Sequence, residues 1–91
     1  MPPKPPRVDR PTIAREVIEK LTAVAEPKAA LTENTKLHDD LGMSNAFRRA
    51  MALPYSKISL RHGGKPVTQS AAEGLDTVGD SINLVHQRAN A

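Results

Sequence analysis

The sequence predicts an all-α domain. Ile13, Val17, Leu21 and Val24 recur at i, i+4, i+8 and i+11, the spacing of one helical face. Thr77 and Asp80 make a capping-box pattern at the head of a second apolar stripe, Val78, Ile82 and Val85. Between them, Pro27, Gly42, Pro54, Gly63-Gly64 and Gly74 cut the chain into short pieces with no internal repeat.

Taken in order, residues 1–10 read as a disordered Pro-rich leader and residues 11–91 as the helical domain. Pro2, Pro3, Pro5 and Pro6 favour an extended polyproline conformation. Pro2 to Arg7 also matches a Pro-x-x-Pro-x-Arg ligand for aromatic-lined grooves. The first helix is expected over Thr12–Ala25, with Pro11 at its start, Thr12 as its cap, and Pro27 as its stop. Ala14 and Ile18 widen its stripe, and Glu16 and Lys20 form an i, i+4 pair on its wet side.

Residues 30–42 read as a long ordered loop pinned by Leu31, Leu37 and Leu41, with Gly42 at a sharp turn. A second helix is expected over Ser44–Leu53, capped by Ser44 or Asn45, with Phe47, Ala50 and Met51 inward and Arg48 and Arg49 outward. Residues 55–66 admit two readings. Ile58 and Leu60 alternate about Ser59 as in a short strand or hairpin, but a helical extension followed by a loop fits equally. A short helix over Thr68–Glu73 and a last one over Thr77–Gln87 complete the chain, with Val67 and Leu75 joining the core.

Composition narrows the function classes. At 91 residues there is room for one domain, and with Phe47 and Tyr55 the only aromatic residues and no Trp the core must be aliphatic. The absence of cysteine removes disulfides and thiolate metal sites. No apolar run approaches the ~20 residues of a membrane span, and the N-terminus has no apolar signal segment. A cytoplasmic monomer is the expectation. The net charge of +3 is unevenly placed. From Leu41 to Ala72 there is no Asp or Glu, while Arg48, Arg49, Lys57, Arg61 and Lys65 all fall there. That window reads either as a face for an anionic partner or as a solvated surface.

The order of elements and three local patterns resemble the acyl carrier protein family. The patterns are Thr35 through Met43 with its Asp39-Asp40-Leu41-Gly42, then Met51-Ala52-Leu53, then Val67 through Val85 with Leu75-Asp76-Thr77-Val78-Gly79-Asp80. The resemblance covers about Thr12 to Ala89. It implies a four-helix bundle with a long loop between the first two helices. It also implies that 4'-phosphopantetheine is esterified to a serine in Asp-Ser-Leu just after the loop glycine, and that the domain works through protein partners and is not an enzyme. Counting from Gly42, Asn45 stands at the attachment position and Ser44 one place before it. Asn cannot form the phosphodiester, so either Ser44 carries the arm or the domain is not a carrier. The family's second helix is acidic, whereas this one bears Arg48 and Arg49. The alternative function is a non-carrier adaptor whose basic residues bind an acidic protein, an anionic surface or nucleic acid.

Other chemistry has little support. His38 sits beside Asp39 and Asp40, but His62 and His86 lie on distant elements and no ligand spacing emerges. Asp39 and Asp40 are expected to favour the start of the second helix through its dipole. His62-Gly63-Gly64-Lys65 lacks the spacing of a nucleotide loop and reads as a turn.

Overall fold

The computed structural model describes residues 8–91. The Pro-x-x-Pro-x-Arg segment lies outside them. The chain is all-α, with α1 Arg10–Ala25, α2 Asn45–Ala50, α3 Ala52–Arg61, α4 Gln69–Glu73 and α5 Val78–Ala89. The one β feature among the described residues is an isolated antiparallel bridge between Lys36 and Thr77.

The first helix begins earlier than its sequence pattern implies. Asp9, not Thr12, is the cap: its Oδ1 accepts the Thr12 N–H at 2.9 Å. The Thr12 side chain first, and its backbone N–H second, hold the Asp9 carboxyl below its usual range. Arg10 therefore belongs to the helix and not to a leader. At the other end Glu26 takes a left-handed conformation with φ 48°. The residue before a proline is disfavoured in the α region, so Pro27 forces the exit there. Ile13, Val17 and Leu21 are fully buried, whereas Val24 lies beyond the shielded part of the stripe and is exposed.

Residues 52–61 settle the ambiguous segment as helix. α2 stops at Met51 and α3 starts at Ala52, which places Pro54 in a first helical turn where its missing N–H costs little. The core phase then belongs to Met51, Ala52, Tyr55, Ile58 and Ser59, all buried. Phe47 falls on another side and is 39% exposed. Leu41 and Leu75 are half-buried, packed against the core edge. Leu37, Met43 and Ala72 take fully buried places instead.

Three aliphatic faces meet in the core. α1 packs on α5 and α3, and α5 packs on α3, while α2 and α4 pair at one end. α5 supplies Val78, Ile82, Val85 and Ala89. Each fully buried aliphatic side chain contributes about 1.5–3 kcal/mol. The buried hydroxyls of Tyr55, Ser59 and Ser81 are paired, whereas Arg88 Nε and Asn90 Oδ1 are buried without a hydrogen-bond partner among the described residues. The Tyr55 hydroxyl donates to Ser81 Oγ at 3.0 Å. Beyond α3 the chain runs extended along that helix, held by serines. Ser59 Oγ donates to Lys65 O at 2.6 Å, and Ser56 Oγ accepts the Val67 N–H at 2.8 Å.

This return leaves no room at Gly64. A Cβ there would meet the backbone of Arg88 and Ala89, and Ser59 Oγ at 2.7 Å. Gly64→Ala should therefore destabilise the fold by about 1–3 kcal/mol through overpacking. Ile82→Ala should cost about 2–5 kcal/mol through the cavity it leaves. Denaturant unfolding of both variants beside the parent measures this, and an Ile82→Ala loss within error would overturn the packing described.

Burial pushes the Tyr55 hydroxyl up to about 12 from its ordinary 10.0. The neutral phenol is thus favoured by the fold. The associated stability is complete below pH 10 and disappears as pH rises from 10 to about 12. Tyr55→Phe should flatten that alkaline decline, as followed by circular dichroism against pH.

Candidate functional site

Ser44 is held in place by what precedes it. Gly42 turns the chain with φ 66°, a conformation open to glycine, and its N–H donates to His38 O at 2.9 Å. Met43 is buried and its N–H donates to Leu37 O at 2.9 Å. Ser44 then emerges exposed as the cap of α2, where its Oγ accepts the Phe47 N–H at 3.2 Å. Asn45 is the first helical residue and is also exposed.

The acids ahead of the turn bond within the loop and, among the described residues, make no hydrogen bond or ion pair to α2. Asp40 Oδ2 accepts the Lys36 N–H at 2.7 Å. Asp39 lies 3.1 Å from His38 Nδ1, and that hydrogen bond lowers its pKa. Among the described residues, no three His, Cys, Asp or Glu side chains converge as a metal site would require.

Arg48 does not face outward. It is half-buried, with Nη1 donating to Met43 O at 2.7 Å and Nε to Glu73 O at 3.1 Å. Its Nη2 reaches Asn45 Oδ1. One guanidinium thereby joins the loop before α2, the first residue of α2 and the end of α4. Backbone carbonyls at a helix end are natural partners for such a cation. Arg48 also lines an open hollow of about 480 Å³ with His38, Asp39, Asn45, Glu73 and Asp76, beside the cap. A larger hollow of about 530 Å³, bounded by Ala25, Pro27, Ala30, Leu31 and Leu41, shares no residue with it.

The remaining cations of the acid-free window are not gathered at one spot. Arg49 is exposed, with Nε 3.8 Å from Glu73 Oε2. Lys57 and Arg61 are exposed one turn apart on α3, and Arg61 Nη1 lies 3.7 Å from Glu16 Oε1. Glu16 also pairs with His62 Nε2 at 3.0 Å, tying the end of α3 to α1. Lys65 lies past the turn, its N–H donating to Arg88 O at 2.9 Å. Leu53 and Leu60 are exposed large hydrophobes that sequence reading did not single out. Their spacing of seven is the signal, visible once Pro54 is allowed in a first helical turn.

No family model matches the chain, and neither the curated proteins nor the solved structures contain a match.

The two neighbouring arginines should separate cleanly on substitution. Arg48→Ala removes charge-assisted bonds to two carbonyls in a partly exposed setting and should cost about 1–2 kcal/mol. Arg49→Ala should stay within about 0.5 kcal/mol. Equal denaturation midpoints for the two variants would contradict the bracing role of Arg48.

Proposed function

We propose that the chain is an acyl carrier protein-like module that acts through protein partners, with Ser44 as the residue that receives a 4'-phosphopantetheine arm. The single observation carrying this reading is the placement of an exposed primary hydroxyl at the junction of a long, pinned loop and the helix that follows it. The order of elements supports it: a long helix, the loop, a helix interrupted at Met51, a short helix and a last one. The residues present are compatible with the group. The Ser44 side chain is open to solvent, and the guanidinium of Arg48 is already engaged by carbonyls. When attached, such an arm supplies a thiol that holds an acyl group as a thioester. The chain's own part is to present the hydroxyl on a fixed backbone, through buried Met43 on one side and α2 on the other.

A second reading has its own support. Asn45 stands where the family places its serine, and Ser44 already caps α2. These features favour a carrier-like scaffold kept for partner contact alone, an adaptor using Arg49, Lys57, Arg61 and Lys65, with Arg48 bracing the fold.

Intact mass after incubation with coenzyme A and a broad-specificity phosphopantetheinyl transferase separates the readings. Ser44→Asp preserves a good cap but cannot be esterified. A phosphopantetheine adduct on the parent that is absent from Ser44→Asp is the expected result. Loading of the Ser44→Asp/Asn45→Ser double variant, but not of the parent, would favour the adaptor reading instead.

A further inference from the structure

α2 and α3 present one outward ridge. Met51 links the two helices in a right-handed helical conformation (φ −67°, ψ −13°): its N–H donates to Phe47 O at 3.2 Å, and the Tyr55 N–H donates to Met51 O at 3.0 Å. Helical phase is therefore kept from Ala46 to Leu60. Met51, Ala52, Tyr55, Ile58 and Ser59 hold the buried side. Opposite them, Ala46, Arg49, Ala50, Leu53, Lys57 and Leu60 are all exposed, at the spacing of a single stripe. Leu53 is 65% and Leu60 53% exposed, unusual for leucines that share a face. The stripe is about 21 Å long at the helical rise of ~1.5 Å per residue.

Its charge has one sign. No acid occurs between Leu41 and Ala72, so Arg49 and Lys57 are the only charges on the stripe. Among the described residues Lys57 makes no salt bridge, and the contact of Arg49 with Glu73 is long and exposed. We propose that this ridge docks an acidic amphipathic helix of a partner protein. The partner's apolar stripe covers Leu53 and Leu60, and its flanking carboxylates meet Arg49 and Lys57. Helix-on-helix docking reads residues at this spacing, and complementary charge fixes the orientation. A phosphate backbone would leave the leucines against charge, and the stripe has no aromatic ring on which a base could stack. A lipid surface calls for a broader apolar face with more cations. The inference deepens the proposed role in partner contact and holds whether or not Ser44 is loaded, so its failure is distinct from a negative mass result.

The test titrates the full chain against two labelled synthetic helices and follows anisotropy. Both carry the same leucine stripe, one flanked by Glu and the other by Lys. The Glu-flanked helix should bind saturably and weaken as salt rises. Arg49→Glu/Lys57→Glu should weaken it roughly tenfold and let the Lys-flanked helix bind in its place. Leu53→Gln/Leu60→Gln should weaken both pairings. Unchanged thermal unfolding of these surface variants confirms that the fold is intact, and the charge-swap rescue by Arg49→Glu/Lys57→Glu stands even if the leucine variant unfolds. Equal binding of the two helices by the parent, no saturable binding, or tighter binding to anionic vesicles or single-stranded RNA than to the Glu-flanked helix would each overturn the proposal.

Discussion

The seating of the long loop on the start of α5 is the constraint on which the other features rest. A helix begins with amides that have no partner of their own. Here the loop provides two: Val78 N–H donates to Thr35 O and Gly79 N–H to Glu33 O, each at 2.9 Å. The next is met within the cap, where Asp80 N–H donates to Thr77 Oγ1 at 3.1 Å. In return Leu37 N–H donates to Asp76 O at 2.8 Å. This exchange fixes a loop that has no regular structure, drives Leu37 and Met43 into the core, and sets where Ser44 emerges. Arg10 reinforces it from α1 by gripping Glu33 and Asn83 together.

What was legible in the sequence was local. The stripe Ile13, Val17, Leu21 and the Thr77–Asp80 box depend on residues within a few positions of one another, and the structure has them as read. Helix starts at Ser44 and Thr68 were legible for the same reason. The phase of the middle segment was not. Phe47 and Met51 alone suggest one inward side, but continuation through Pro54 hands the core to Tyr55 and Ile58. Arg48 was misread because its partners, the carbonyls of Met43 and Glu73, are presented by elements that only the tertiary fold brings near. The candidate Ser44 was visible as a residue type at a cap. Its exposure depends on the Gly42 turn and the burial of Met43, which spacing alone does not encode.

Serine performs a task here that strands perform elsewhere. The extended stretch after α3 has no neighbouring strand, yet its backbone groups at Lys65 and Val67 bond to Ser59 and Ser56 side chains. Ser81 gives the Tyr55 hydroxyl its partner in an otherwise aliphatic interior. Buried polar groups are costly unless paired, so these small hydroxyls allow close packing with their own oxygens satisfied. Gly64 completes the arrangement by letting the backbones of the return and α5 touch.

The packing of α5 on both α1 and α3 has a kinetic consequence. The helix that comes last along the chain is central to the core, and contacts such as Arg10–Asn83 and Val8–Asn90 join positions 73 and 82 residues apart. Closing such long loops carries an entropic cost before any burial offsets it. Folding should accordingly run slower than in a bundle of sequential neighbours, with the earlier helices loosely held until α5 arrives. During synthesis α1 leaves the ribosome well before α5, so its packing is completed only after the chain between them has been made.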